Sequence, residues 1–249
     1  MLINAPISAT TGINSLVNAN GGKGGTVDVQ ASGQIAVNST IKVSDSALIG
    51  TSKQGGNIGL RTTSASDTAI SIDSSSQLLS LLDNAATGPG GTIRLTATNG
   101  GIRVNGGTSR ADRGTVELIG QKAGGRVEIT NSNIRGDTVK IGALGANGEL
   151  RIGGGTIQAD TMLKLYGGSS NGTVRFTDNV NLSGNSTKII AGNTVTIDNG
   201  KTVTVGGASP ASVHTNNPNY TGSGGNGSSS GQFGGAGANT NSFSSRPGF

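Results

Sequence analysis

The chain of 249 residues has no cysteine and a single histidine. The absence of cysteine excludes disulfides, thiolate metal sites and thiol nucleophiles together. The histidine, His214, stands next to the turn-like residues 216–220, and no acidic residue follows Asp198. Because a general base needs a nucleophile and an orienting group within hydrogen-bond reach, we expect no catalytic histidine, no metal site and no cofactor.

Large side chains and charges are also scarce. Aromatic residues make up 2% of the chain, with no tryptophan, and charged residues make up 12%. A core of large side chains is therefore excluded, and a helix bundle is not expected. No stretch approaches the ~18 apolar residues of a membrane helix, and the first residues lack the basic region of a secretory signal. The net charge of +5 is modest for a nucleic-acid binder.

Glycine is abundant, at 45 residues, and it heads a short phrase in which two aliphatic residues alternate with polar ones. The seven instances begin at Gly25, Gly56, Gly91, Gly114, Gly125, Gly148 and Gly172. The spacing is nearly constant from Gly91 to Gly114, from Gly125 to Gly148 and from Gly148 to Gly172. Further pairs of alternating aliphatic residues lie between the phrases. The pattern indicates a repeat in the low twenties with about three short strands in each period.

Strands this short, separated by Gly, Asn, Ser and Asp, favour a solenoid over a sandwich, because each strand fits one face of a turn. We predict an all-β fold, a right-handed parallel β-helix over residues 2–206, with about nine turns of about 21 residues. Residues 77–86, which contain four leucines, are expected to form a short helical insertion. Residues 207–221 are expected to be an irregular turn segment, and residues 222–249 a disordered Gly/Ser-rich tail.

Some parallel β-helices are polysaccharide lyases or hydrolases, so paired carboxylates are relevant. Hydrolysis of a glycoside needs two carboxylates about 5–10 Å apart. On spacing, the candidates are Glu117 with Glu128 and Asp112 with Glu117. All lie among arginines, Arg110, Arg113 and Arg126. Surface salt bridges are therefore the favoured interpretation.

One pattern exceeds what composition predicts: the outward residue between two inward apolar residues is repeatedly basic. The residues singled out on this pattern are Arg94, Arg103, Lys140, Arg151 and Arg175. If several share one face, they form a basic ladder that an anionic glycan or a phosphate-rich surface would neutralise. If they lie on different faces, they are solvated charges, and this is the favoured interpretation. Nucleic acid is disfavoured, because Tyr166 and Tyr220 are the only tyrosines and offer no stacking platform.

The repeat style resembles that of a known family. Ile3-Asn-Ala-Pro-Ile7, Gly24-Gly-Thr-Val-Asp-Val-Gln-Ala31 and Gly90-Gly-Thr-Ile-Arg-Leu-Thr-Ala97 resemble the repeat regions of filamentous haemagglutinin-like exoproteins, which Gram-negative bacteria export by two-partner secretion. The resemblance implies a C-terminal fragment of such a protein, because the family's N-terminal signal and secretion domain have no counterpart here. It implies an extracellular or outer cell-surface location.

Three classes of function remain. The first is a structural rod segment of an adhesin that attaches to surface glycans and catalyses nothing. The second is a β-helix enzyme that acts on polysaccharides. The third is a self-assembling filament, because a solenoid without caps leaves strand edges unpaired at its ends. In a fragment, the first turn, with Ile3, Ile7 and Ile13, is expected to be open or stacked end to end on another molecule.

Overall fold

The computed structural model describes residues 17–21, 25–45, 55–82, 88–206, 212–215 and 232–233. These residues form an all-β structure without helices. The strands are β1 Val17–Gly21, β2 Thr26–Ala31, β3 Ile35–Val37, β4 Thr40–Asp45, β5 Asn57–Thr62, β6 Ile70–Ile72, β7 Gln77–Leu81, β8 Thr92–Ala97, β9 Ile102–Asn105, β10 Thr108–Ala111, β11 Thr115–Gly120, β12 Arg126–Ala143, β13 Glu149–Gly167, β14 Thr173–Phe176, β15 Val180–Ser183, β16 Ser186–Ala191, β17 Thr194–Ile197, β18 Val203–Gly206, β19 Ser212–Thr215 and β20 Gln232–Phe233. The predicted all-β class is confirmed.

All strands except β20 pair in parallel. The short ones pair with the strand three positions further along the chain, except where they meet the long β12 and β13, each of which passes through three sheet positions. Three sheet positions result, which we call faces 1, 2 and 3. Face 1 contains β2, β5, β8, β11, the ends of β12 and β13, β16 and β19. Face 2 contains β3, β6, β9, the beginnings of β12 and β13, β14 and β17. Face 3 contains β1, β4, β7, β10, the middles of β12 and β13, β15 and β18.

The chain visits the faces in the same order each time, and one passage over the three faces makes a layer. From β2 to β18 the described residues form seven complete layers, fewer than the nine expected. The register shows why: Thr26 pairs with Asn57 and Asn57 with Thr92, so these early layers are longer than the later one that joins Thr92 to Thr115. The result is a mostly parallel sheet in a nearly closed, barrel-like arrangement, which is compatible with a β-helix.

The glycine-headed phrase begins strands on two different faces. The first four instances precede face 1 strands, and the last three, from Gly125 onward, precede face 2 strands. The short gap between Gly114 and Gly125 is therefore the step from face 1 to face 2 within one layer. On face 1 the glycine is required by close stacking, since a Cβ on Gly91 would overlap the carbonyl oxygen of Gly56.

The core is the stack of inward aliphatic residues from all three faces. On face 1, for example, Leu95, Leu118 and Ile141 occupy the same inward position in successive layers and are fully buried. Because side chains alternate along a strand, a parallel register brings inward residues over inward residues in every layer. The same register brings outward residues into columns, which position the charged side chains described below.

The helical insertion predicted for residues 77–86 is wrong in its described part. Residues Gln77–Leu81 form β7, which pairs in parallel with β4 on one side and β10 on the other. Leu78 and Ser80 point inward and are buried, and the Ser80 hydroxyl donates a hydrogen bond to the Gly56 carbonyl oxygen at 2.7 Å. Two ladders of backbone hydrogen bonds therefore outweigh the local helical preference of the leucines.

The segments predicted to follow the β-helix are described only in part. Within residues 207–221, β19 continues face 1 by pairing with β16. Within residues 222–249, β20 pairs antiparallel with β18. The expectation of an open first turn concerns residues that lie outside the described part of the chain, apart from β1, which pairs with β4. No helix long and apolar enough to cross a membrane occurs in the described residues.

Candidate functional site: charged columns on the outer faces

The outward position at the centre of face 1 carries a column of mostly charged residues. Parallel register places one residue from each layer above the next at a spacing of ~4.8 Å. In chain order the column is Asp28, Gly59, Arg94, Glu117, Lys140, Lys164, Lys188 and Ser212. Opposite charges alternate from Arg94 to Lys140, and two further lysines, Lys164 and Lys188, follow before Ser212.

In the alternating part of the column, Glu117 bridges two cations. Its carboxylate lies 2.6 Å from Nε of Arg94 in the layer before and 3.3 Å from Nζ of Lys140 in the layer after. The Glu117 side chain is only 14% exposed, whereas that of Arg94 is 53% exposed. The carboxylate is thus largely enclosed by its two partners, and the pairs offset the repulsion that two cations on one column would otherwise feel.

Lys140, Lys164 and Lys188 follow one another in three successive layers, and we call them the lysine ladder. All three side chains are partly exposed. Burial and the charges of Lys140 and Lys188 lower the pKa of Lys164 from its ordinary value of 10.5. Two like charges 4 Å apart repel by about 1 kcal/mol even in bulk water, so the ladder concentrates positive charge at an energetic cost.

Face 2 carries a second column, in which carboxylates accompany the basic residues. Glu128 lies between Arg103 and Arg151, with N to O distances of 3.8 and 3.9 Å. Arg175, in the next layer, donates two hydrogen bonds to the Asp198 carboxylate at 2.8 and 3.0 Å. This arginine holds the pKa of Asp198 below its usual value. Three arginines and two carboxylates thus meet along face 2, and each arginine has a carboxylate within 4 Å.

The five basic residues predicted to contact anionic glycan divide between these two columns. Arg94 and Lys140 lie on face 1, and Arg103, Arg151 and Arg175 lie on face 2. The structure therefore does not bring the five together, and each has a carboxylate within 4 Å. Glycan contact at these positions remains a prediction, while their salt bridges are observed.

The sequence analysis missed Lys164 and Lys188. Leu163-Lys164-Leu165 has the same apolar, basic, apolar pattern as the five chosen triplets and could have been found by applying the rule consistently. Lys188 was harder to find, because Thr187 stands at the inward position before it. Only the register across layers aligns both residues with Lys140.

The acids of the two candidate carboxylate pairs lie on different strands or turns, and each contacts a basic residue. Glu117 lies on face 1 and Glu128 on face 2, each between two basic residues. Asp112, in the turn after β10, lies 2.6 Å from Nε of Arg110. The structure thus supports the salt-bridge interpretation of these acids.

Two clefts are lined by charged residues. One, of about 220 Å³, lies beside face 3 and is lined by Arg110, Asp112, Arg113, Arg135 and Asp160 among others. The other, of about 200 Å³, lies beside face 2, and Asp67 is one of its lining residues. Asp67 also forms a salt bridge with Lys122 at 2.6 Å. Both clefts contain acidic and basic groups together, so neither concentrates charge of one sign as the lysine ladder does.

The remaining candidate groups are the single histidine and the possible metal ligands of the described ranges. His214 lies on β19 in register with Ile190, and its buried Nδ1 has no hydrogen-bond partner there. Across the part of the chain that the structure describes, no three His, Asp or Glu side chains are grouped so that they could hold a metal ion.

Comparison with known proteins gives no match: no protein-family model, curated protein or solved structure matches the chain.

Proposed function

We propose that this chain is a structural rod segment of a secreted or cell-surface bacterial adhesin, built as a right-handed parallel β-helix that attaches to surface glycans without catalysing a reaction. One observation carries the proposal: the order of the three faces and the parallel register are kept through all seven layers from β2 to β18. The right hand follows the general preference of parallel crossover connections.

The repeated register supports a rod because each layer adds about 4.8 Å in one direction. The eight face 1 strands, from β2 to β19, thus span roughly 34 Å. A stack of this kind presents outward residues in fixed columns, and these columns are a regular surface for attachment. The resemblance of the repeat phrases to filamentous haemagglutinin-like exoproteins supports the adhesin role and the location outside the cell.

Small-angle scattering and bead adhesion together test this proposal. The purified chain should scatter as an elongated monomer, and beads coated with it should adhere to bacterial or epithelial cells. Beads coated with the Ile129→Asp variant are the control, because Ile129 is 1% exposed in the core and an unpaired buried charge prevents folding. Equal adhesion of both sets of beads would contradict the proposal.

The same preparations test the two alternative functions. Release of reducing sugars from a polysaccharide, lost in Glu117→Gln or Glu128→Gln, would establish an enzyme instead. Scattering that grows with concentration into long particles would establish a filament. An adhesin segment predicts neither result.

A further inference from the structure

The lysine ladder differs from every other charged column in the described part of the chain. On face 1 a carboxylate separates Arg94 from Lys140, and on face 2 carboxylates contact Arg103, Arg151 and Arg175. Three cations in successive layers occur only at Lys140, Lys164 and Lys188 among the described columns. Because like charges opposite one another in a sheet are destabilising, the arrangement favours an anionic ligand that lies across all three layers.

The ladder is suited to a long, thin ligand. Its ammonium groups recur once per layer, at ~4.8 Å along the rod. On one side of the ladder lie the partly exposed side chains of Thr138, Met162 and Ser186, which occupy the preceding outward position of the same strands. On the other side Tyr166 and Ile190 are buried, with 6% and 3% exposure. A linear anion can therefore lie along the ladder beside the two hydroxyl groups.

These features distinguish between classes of polyanion. A single-stranded nucleic acid needs exposed aromatic rings on which its bases stack, and the one ring beside the ladder, that of Tyr166, is buried. A polyuronate carries one carboxylate on each sugar residue, and a sugar residue is about as long as the layer spacing. Its hydroxyl groups can also bond the hydroxyls of Thr138 and Ser186.

We propose that the lysine ladder binds a linear acidic polysaccharide that carries a carboxylate on each sugar residue, with successive carboxylates contacting Lys140, Lys164 and Lys188. This inference rests on the proposed function, since it names the ligand class of the attachment surface. Binding is electrostatic in origin and weakens as salt is added.

Calorimetric titration of the full chain with polygalacturonate at low salt tests the proposal. The double variant Lys164→Gln/Lys188→Gln should bind roughly tenfold more weakly, and Lys164→Arg/Lys188→Arg should bind nearly as well as the wild type. The matched control is Lys42→Gln/Arg135→Gln, which also removes two positive charges but from face 3. It should bind normally, and methyl-esterified polygalacturonate should not bind at all.

Three results would overturn the inference. Absence of binding would remove the ligand class, equal losses in the two glutamine variants would show non-specific attraction, and tighter binding of polyphosphate or single-stranded DNA through the same lysines would assign another polyanion. Scattering of the same samples reports the rod separately. A rod that fails to bind polygalacturonate thus refutes only the ligand, and a compact particle refutes the proposed function.

Discussion

At the scale of single residues, one turn position recurs in three layers, and its backbone is left-handed each time. Gly124, Asn147 and Asn171 have φ values of 65°, 57° and 52°, and each directly precedes the glycine of a face 2 phrase. Successive turns are also joined by hydrogen bonds, since the backbone N–H of Asn147 donates to the Ser170 carbonyl oxygen at 2.7 Å. Glycine and asparagine are the residues that adopt this conformation most readily.

Replacing Asn171 separates this backbone effect from side-chain contacts. Asn171→Val should lower the free energy of unfolding by about 1–2 kcal/mol, because a β-branched side chain is strained at positive φ. Asn171→Gly should change it by less than about 0.5 kcal/mol, since glycine takes this φ without strain. Urea denaturation measures both free energies of unfolding. An equal loss in the two variants would show that the side-chain amide of Asn171, and not its φ, determines stability here.

Two buried threonines on face 1 form a matched pair for testing polar burial. The Thr187 hydroxyl is buried without a hydrogen bond, whereas the Thr62 hydroxyl bonds the Gly33 carbonyl and accepts from the Ser64 amide at 3.0 Å. We expect Thr187→Val to raise the free energy of unfolding by about 1 kcal/mol and Thr62→Val to lower it by about 1–2 kcal/mol. Destabilisation by Thr187→Val would mean that its hydroxyl has a partner in the folded protein.

At the scale of strands and columns, the pH dependence of stability tests the repulsion within the lysine ladder. The pKa of Lys164 is lowered in the folded state, so its charge opposes folding at neutral pH. Between the lowered pKa and the ordinary value of 10.5, the unfolded chain binds more protons, and stability rises with pH. Lys164→Gln should therefore have a higher free energy of unfolding than the wild type at pH 7. This difference should shrink as the pH approaches the ordinary lysine pKa of 10.5, and urea denaturation at a series of pH values measures it.

Lys140 and Lys188 face Lys164 from the adjoining strands, and the Glu117 carboxylate contacts Lys140. The charges of Lys140 and Lys188 act on Lys164, so its pH dependence arises within the ladder. Lys42→Gln is the control, because Lys42 pairs in register with Asn18 and Leu79, which carry no charge. An advantage of Lys164→Gln that stays constant with pH would contradict the account.

Much of this element-scale organisation could be predicted from the sequence. The phrase predicted short strands, inward aliphatic residues and three strands per period, because alternation reports burial within one strand. It could not report which face a strand joins, since phrases on faces 1 and 2 have the same pattern. The short gap from Gly114 to Gly125, which interrupts the sequence period, is accordingly a normal step between faces.

The helix expected at residues 77–86 and the incomplete set of basic residues have one physical origin. The leucines of residues 77–86 indicated a helix locally, but β4 and β10 bind β7 from both sides. Likewise, a local pattern singles out five basic residues, but the register divides these between two faces and places Lys164 and Lys188 in line with Lys140. Contacts between layers join residues of different repeats, and a local pattern does not contain that information.

At the scale of the whole molecule, each of the three faces is a parallel ladder in fixed register. The absence of cysteine from the chain allows this claim to be tested with introduced cysteines alone. Residues directly opposite in adjacent parallel strands have Cα atoms about 4.8 Å apart, which lies within the range that a disulfide spans. Asn181 and Thr204 are such a pair on face 3, and both are exposed.

The most direct measurement is therefore the rate and yield of disulfide formation in the folded Asn181→Cys/Thr204→Cys variant under mild oxidation. We expect rapid, nearly complete formation of an intramolecular disulfide, with the folded structure retained. The control Asn181→Cys/Arg126→Cys places the cysteines on faces 3 and 2 in different layers and should not bond within one molecule. Failure of the first pair to bond, or bonding of both pairs at the same rate, would contradict the parallel register.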